Sequence, residues 1–415
     1  MGRQTTNGAA TLTLDDVDLF STETFVQGTP HDIFKLLRKE APVFWHEEPE
    51  GPGFWVITKY EDVDHVSMHP ETFSSGKRGV FIEDPPPEAG AVLGLLLLNQ
   101  DAPQHTRYRR LVSRAFTPKL VLGLEPHIRD VTNGIIDKIA DKGECDFVTD
   151  IAADLPLQAI ALLIGVPMED RQKVFDWSNQ MIGAEDPEYS TGPEGAMLAS
   201  MELYSYAQQL ADQRRKEPKD DIISTLLQAD FDGEELTEAD FNAFFLLLSV
   251  AGNETTRNTI SHGMKALMDH PDQRQRLLDD PTMMTTAVDE ILRWSSPVMQ
   301  FRRTVMHDTE IRGVKIKEGD KVVIYYGSAN RDEDIFPDAD TFDVGRDPNP
   351  HVAFGPGGPH FCLGANLARL EIRIMFETLM KRLPEMEQAG PASYLQSNFI
   401  GGIKHLPVKY TPERN

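Results

Sequence analysis

The sequence predicts a mainly α-helical protein with a small β portion. Three observations carry this expectation. Helical spacing of apolar residues dominates from about residue 100 onward, strand-like runs are few and short, and one stretch near residue 240 is apolar on every face. The chain has 415 residues, 40% of them hydrophobic, which is ample for a large buried core. It carries no internal repeat and no linker-like composition. Residues 18–415 are therefore expected to form a single domain, and the polar, Thr-rich residues 1–17 a loosely ordered tail.

The first strand signal is Phe54-Trp55-Val56-Ile57, inside residues 53–58. A second lies at residues 320–326, and a short hairpin is expected at 310–316 with Arg312-Gly313 as its turn. The best-defined helix begins at Thr237, which with Asp240 three residues on has the pattern of a capping box. Phe241, Phe244, Phe245, Leu246, Leu247, Leu248 and Val250 leave it no polar face, so it should cross the interior. It can run to His270, where Pro271 stops it. That is roughly 30 residues, or about 45 Å. In its middle stands Ala251-Gly252-Asn253-Glu254-Thr255-Thr256, a polar break whose Glu is costly to bury. Either the helix surfaces there or these groups do chemistry.

Charge and cysteine usage narrow the function classes. There are 41 basic and 66 acidic residues, a formal net charge of −25, which as a whole repels nucleic acid and anionic membranes. Two cysteines, Cys145 and Cys362, make no disulfide framework and fit a reducing compartment. The N-terminus lacks the basic start and apolar stretch of a signal peptide. The most apolar runs, 91–98 and 241–252, are too short to span a bilayer. A soluble, cytoplasmic monomer without a membrane anchor is the expectation.

The most informative segment is Phe354-Gly355-Pro356-Gly357-Gly358-Pro359-His360-Phe361-Cys362-Leu363-Gly364, followed by a helical pattern from Ala365. Its glycines allow backbone to approach a flat, bulky group closely. Cys362 falls just before a helix N-terminus, where the dipole favours a thiolate and free N–H groups can donate to sulfur. An isolated cysteine in such a turn would more often be inert.

This loop resembles the haem-binding signature of the cytochrome P450 superfamily, and the other hallmarks of that family follow in order. Glu290-Ile291-Leu292-Arg293 resembles its Glu-x-x-Arg pair, and Arg346 matches the downstream Arg that interlocks with it. Ala251-Gly252-Asn253-Glu254-Thr255 is similar to its oxygen-activation motif. The resemblance implies that Ala251 and Gly252 leave space for dioxygen, while the Thr255 hydroxyl, fed by the Glu254 acid, moves protons to it. His105, Arg109, Arg303 and His360 match the contacts to the haem propionates. The implied cofactor is haem b with Cys362 as axial thiolate ligand, Phe354 and Gly364 shaping the loop around it. The implied fold is a triangular helical prism with the long central helix over the haem. One departure stands out: Phe354 is eight residues before Cys362, where the signature has seven, so the loop carries one extra residue.

The long cysteine loop, residues 251–258 and the tail 402–407 together resemble a bacterial subgroup that hydroxylates terminal methyl groups of steroid side chains and methyl-branched lipids. The resemblance places Val80, Phe81, Leu98, Phe245, Val250, Val298 and Phe301 at the substrate pocket, an apolar lining that a terpenoid or fatty acid would share. No Gly-x-Gly-x-x-Gly lies between a strand and a helix, so electrons are expected from a ferredoxin and its reductase. Arg107, Arg110, Arg114 and Lys119 form the basic cluster expected to dock it. A haem sensor or electron carrier would need Cys362 but not Glu254-Thr255. A peroxygenase would dispense with the ferredoxin, and a haem-free lipid carrier with the cysteine loop.

Overall fold

The computed structural model describes residues 12–413 apart from 86–89, 91, 114–115, 220, 229 and 232–233. Of the expected tail, residues 1–11 lie outside the described residues. From Thr13 onward the chain is built in: Thr13 and Asp16 cap the turn Leu14–Asp16, and Leu14 and Val17 pack against buried side chains.

Helices dominate. Those that position the site are α1 (His31–Glu40), α2 (Tyr60–Met68), α3 (Gln104–Ser113), α4 (Asp154–Ile164), α5 (Arg171–Ile182), α6 (Pro193–Lys216), α7 (Glu238–Asp269), α8 (Met284–Ser295) and α9 (Ala365–Arg382). The central helix α7 starts and stops where its punctuation dictates. Thr237 accepts from the Asp240 amide at 3.1 Å, its own hydroxyl donates to the Asp240 carboxylate at 2.6 Å, and Pro271 follows the C-cap His270.

Five strands form the main sheet: β1 (Val43–His46), β2 (Phe54–Ile57), β3 (Phe73–Ser74), β4 (Gln300–Val305) and β5 (Lys321–Tyr325), in the order β1-β2-β5-β4-β3. Only β2 and β5 pair in parallel. The expected hairpin forms from Thr309–Ile311 and Val314–Ile316, with Arg312 at φ +48° and Gly313 at φ +81° in its turn. Helices α1 and α2 and strands β1 and β4 were not among the sequence expectations. On β4, consecutive arginines point to opposite faces. Arg302 is bonded to Asp84 at 2.7 Å, while Arg303 turns toward the cysteine loop's side of the sheet, beside His360.

The largest core cluster joins α7, α8 and α9. Gly263 permits this close approach, because a Cβ there would lie 2.7 Å from Ile291 and 2.8 Å from Phe376. Glu290 and Arg293, on α8, are fully buried and bonded to each other at 2.7 and 2.8 Å. Glu290 also accepts from Arg346 at 3.2 Å, from the Asp343 amide at 2.9 Å and from Asn349 at 3.1 Å. Three residues predicted to interlock are thus in contact, and together they fasten the segment leading to the cysteine loop.

Candidate functional site: a cysteine loop facing the central helix

The cysteine loop is closed by the Cys362 amide, which donates to the Phe354 carbonyl at 2.9 Å. Gly355, Gly357 and Gly358 all have positive φ (+82°, +146° and +73°). A Cβ on Gly358 would lie 2.7 Å from the Ser67 carbonyl, so the longer loop is seated against the end of α2. In this longer loop the Phe354 ring packs on the main core, with the Arg369 guanidinium 4.7 Å from its centroid. The Cys362 sulfur accepts from the Gly364 and Ala365 amides at the start of α9. Burial nevertheless pushes the thiol's pKa up, against the pull of those amides and of Arg109 and Arg369. The helix N-terminus alone does not make the thiolate expected from sequence; a coordinated metal cation would.

Beside this sulfur is a cluster of cationic and donor groups. His105 and Arg109 share one face of α3. The His105 ring lies 4.2 Å from that of His360, and the Nε2 atoms of both are buried without a hydrogen-bond partner among the described residues. Arg109 donates to the Phe361 carbonyl. Arg303 is buried and donates to the Arg302 carbonyl at 2.8 Å. Burial and the neighbouring arginines lower the pKa of His105 to about 4 and of His360 to about 2. Buried cations and orphaned imidazole nitrogens gathered this way fit a cofactor that brings two carboxylates.

The central helix carries the other residues predicted for the site. Ala251 is exposed, and Gly252 and Thr255 are half-buried, amid an otherwise buried stretch. One sequence expectation needs correction here. Gly252 does not make room for a ligand: its missing Cβ faces α4, where it would lie 2.8 Å from Ile160. The Glu254 carboxylate is not hydrogen-bonded to the Thr255 hydroxyl. The Thr255 hydroxyl donates to the Ala251 carbonyl at 2.8 Å, whereas the buried Glu254 carboxylate is held by Arg257, whose other nitrogen donates to Asn179 of α5 at 3.0 Å. Burial raises the pKa of Glu254, with Arg257 opposing.

Of the pocket residues predicted from sequence, Phe81 is exposed, while Leu98, Val250, Val298 and Phe301 are half-buried. Phe245 is not at the pocket. It is 2% exposed and packs among Tyr206 and Phe241, because it faces α6. Val80 is also buried; its backbone, bonded to Arg302 and Asn99, is what it contributes. Phe399, missed by the sequence reading, joins Phe81 to Phe301 with ring separations of 5.1 and 5.6 Å. Phe81 also borders a cavity of about 670 Å³ with Lys77, Arg78, Glu83, Asp84 and Leu93. Arg257 was missed too. Arg257 had a legible signal, its spacing of three from Glu254 on one helix.

A sulfur fed by helix amides, cations awaiting carboxylates and a helix with a small-residue opening define a haem-thiolate protein. A profile of the cytochrome P450 family matches residues 196–388. The chain is 47% identical over 402 residues to the steroid C26-monooxygenase of Rhodococcus jostii, covering 95% of this chain and 84% of that one. It is 44% identical over 388 residues to the methyl-branched lipid omega-hydroxylase of Mycobacterium tuberculosis, covering 91% and 90%. A cytochrome P450 of Mycobacterium marinum solved with pseudoionone superposes with a TM-score of 0.89 at 41% identity, covering 97% of this chain and all of that one. The chain belongs to the cytochrome P450 family. It is a monooxygenase with a haem-thiolate cofactor, and its reaction takes a redox partner, a hydrophobic substrate and dioxygen. Among the described residues no helix is long and apolar enough to cross a membrane.

Proposed function

We propose that this monooxygenase hydroxylates the terminal methyl of a steroid side chain or methyl-branched lipid. The observation that carries the reading is the near-full-length identity to one relative named for each reaction, 47% and 44%. The aromatic wall of Phe81, Phe399 and Phe301 supports a bulky apolar substrate.

In this reading Cys362 would ligate the haem iron through its sulfur, and His105, Arg109, Arg303 and His360 would hold the propionates. Bound there, the haem supplies dioxygen activation and insertion of one oxygen atom into a C–H bond, the other leaving as water after two electrons and two protons. Ala251 keeps the approach over the sulfur open. Thr255, held by its bond to Ala251, presents a hydroxyl at that opening and passes protons inward. Glu254 holds the proton supply behind it; with no hydrogen bond between the two, water bridges them, and Arg257 fixes the carboxylate until it is needed. Electrons come from a ferredoxin docking near α3, where Arg110 and Lys119 are exposed. Arg107 is the third member of that cluster, and Arg114 lies outside the described residues.

Optical titration of the ferric holoprotein with sterols, branched lipids, fatty acids and pseudoionone tests the reading, with the reduced carbonyl spectrum taken on the same sample. A thiolate-type carbonyl band with a low-to-high-spin shift for sterol or branched lipid is expected. A thiolate band with a shift only for straight fatty acids or pseudoionone overturns the substrate class. A Cys362→Ala protein that keeps the thiolate band overturns the ligand.

A further inference from the structure

Glu254 and Arg257 stand three apart on α7, and Glu290 and Arg293 three apart on α8; all four are buried. The two pairs close differently. Arg293 grips Glu290 as a two-point fork, its Nε 2.8 Å from one oxygen and its Nη2 2.7 Å from the other. Arg257 reaches Glu254 through Nη2, while its Nε is buried without a hydrogen-bond partner among the described residues. The second oxygen of Glu254, Oε1, accepts from the Asn253 side-chain amide at 3.4 Å, a long contact. Leaving a buried donor unpaired is costly, so something must hold the guanidinium off the fork. Two groups on α5 do so. Asn179 Oδ1 accepts from Nη1 at 3.0 Å, and the Phe175 ring, one turn earlier, has its centroid 5.7 Å from the guanidinium carbon.

We propose that Asn179 is a positioning residue for proton delivery: it holds Arg257 to a one-point contact, which leaves Glu254 one oxygen open to take up and release a proton. This rests on the reading of Glu254 as the proton supply. A two-point fork occupies both carboxylate oxygens and favours the ionised form, whereas a one-point contact does less of each. Burial raises the pKa of Glu254 and Arg257 opposes it, so the grip of Arg257 sets where the acid titrates. Tyr189, from the segment after α5, feels both charges, and burial keeps it a neutral phenol.

The test uses haem-replete holoprotein with excess ferredoxin and saturating substrate, taken as whichever of a sterol, branched lipid, fatty acid or pseudoionone gives the spin shift. Asn179→Leu removes the acceptor, so Arg257 should close the fork. Turnover should slow about tenfold, because one further hydrogen bond to a charged group must break for each proton. Its solvent deuterium isotope effect should grow, and the pH above which turnover falls should move down. Asn179→Asp keeps the acceptor at the same size and adds a charge that draws Arg257 away from Glu254, so that pH should move up. Opposite shifts are the signature of positioning, since loss of packing would move both variants alike. A pH limb unmoved in both, or moved the same way in both, overturns the proposal. Should Asn179→Leu not fold, Asn179→Asp decides alone, and a limb unmoved or lowered overturns the proposal. Glu254→Gln separates the two ideas. If its turnover, product per NADH and isotope effect match the parent's, the proton-supply reading itself fails, whatever Asn179 does.

Discussion

Thr255 is bonded to the carbonyl four residues back, as hydroxyls inside helices often are, so its rotamer is fixed without help from Glu254. Removing it should leave the fold intact and open the proton route to uncontrolled water. Thr255→Ala is expected to consume reductant at near the parent rate while most of it ends as peroxide or water; hydroxylated product per NADH consumed measures this, and unchanged coupling would remove Thr255 from the route. Its neighbours Ala251 and Gly252 look equivalent in sequence but face different things. Gly252→Val pushes into Ile160 and should cost about 1–3 kcal/mol, the usual range for overpacking. Ala251→Val adds the same kind of bulk to an exposed face and should leave the melting temperature near the parent's while weakening dioxygen binding to the ferrous protein. Thermal melts and ferrous oxygen binding on both variants check the pair. Composition revealed that small residues cluster at 251–252, but which of them touches a neighbour depends on where α4 lies, and no local pattern encodes that.

At the scale of elements, the C-terminal strand pair and the segment after α5 are joined by charge. His405 bonds Asp146 through Nδ1 at 2.9 Å and Glu188 through Nε2 at 2.7 Å, while Lys404 bonds Asp186 at 2.9 Å and Glu188 at 3.0 Å. Burial works against a charged His405, but its bonds to Glu188 and Asp146 outweigh this and raise its pKa above the ordinary imidazole value. Asp186 and Glu188 are lowered despite burial, by their hydrogen bonds, and Lys404 is raised, so these three stay charged as His405 titrates. The sign follows: a raised histidine pKa gives stability that is full below the unfolded value, about 6.5, and is lost as pH rises through the folded one. Amide exchange in residues 183–190 should be slower at pH 6 than at pH 8.5 after correction for intrinsic rates, and His405→Gln should abolish the difference. An equal difference in the variant would assign it elsewhere. Elements whose signals are local were legible: α7 from its capping box and Pro271, the 309–316 hairpin from Arg312-Gly313, and the Glu290–Arg293–Arg346 interlock from spacing and order. Strand β4 was not, because Gln300-Phe301-Arg302-Arg303 looks half polar until Asp84 pairs with Arg302 and the Arg302 carbonyl accepts from Arg303.

The whole molecule sets two electrostatic terms of opposite sign on partner docking. A net charge of −25 repels an acidic ferredoxin at long range, whereas exposed Arg110 and Lys119 attract it at contact. Salt weakens the two at different concentrations. The Debye length is about 30 Å at 0.01 M and about 10 Å at 0.1 M, so added salt first removes repulsion from charges across the molecule and only later the contact pairs. The rate of reduction by an acidic ferredoxin should therefore rise and then fall with ionic strength. In Arg110→Glu/Lys119→Glu the two reversed charges cancel those of Arg107 and Arg114 and repulsion dominates, so the rate should be lower at every salt concentration and rise monotonically. Substrate-induced spin shifts should be unchanged in the variant, because neither residue is at the pocket. Stopped-flow reduction of substrate-bound protein from 0.01 to 1 M salt distinguishes these curves. A variant profile that keeps the parent's maximum would place the ferredoxin on another face, and a parent rate that only falls with salt would mean that local attraction outweighs the molecule's net charge at every distance.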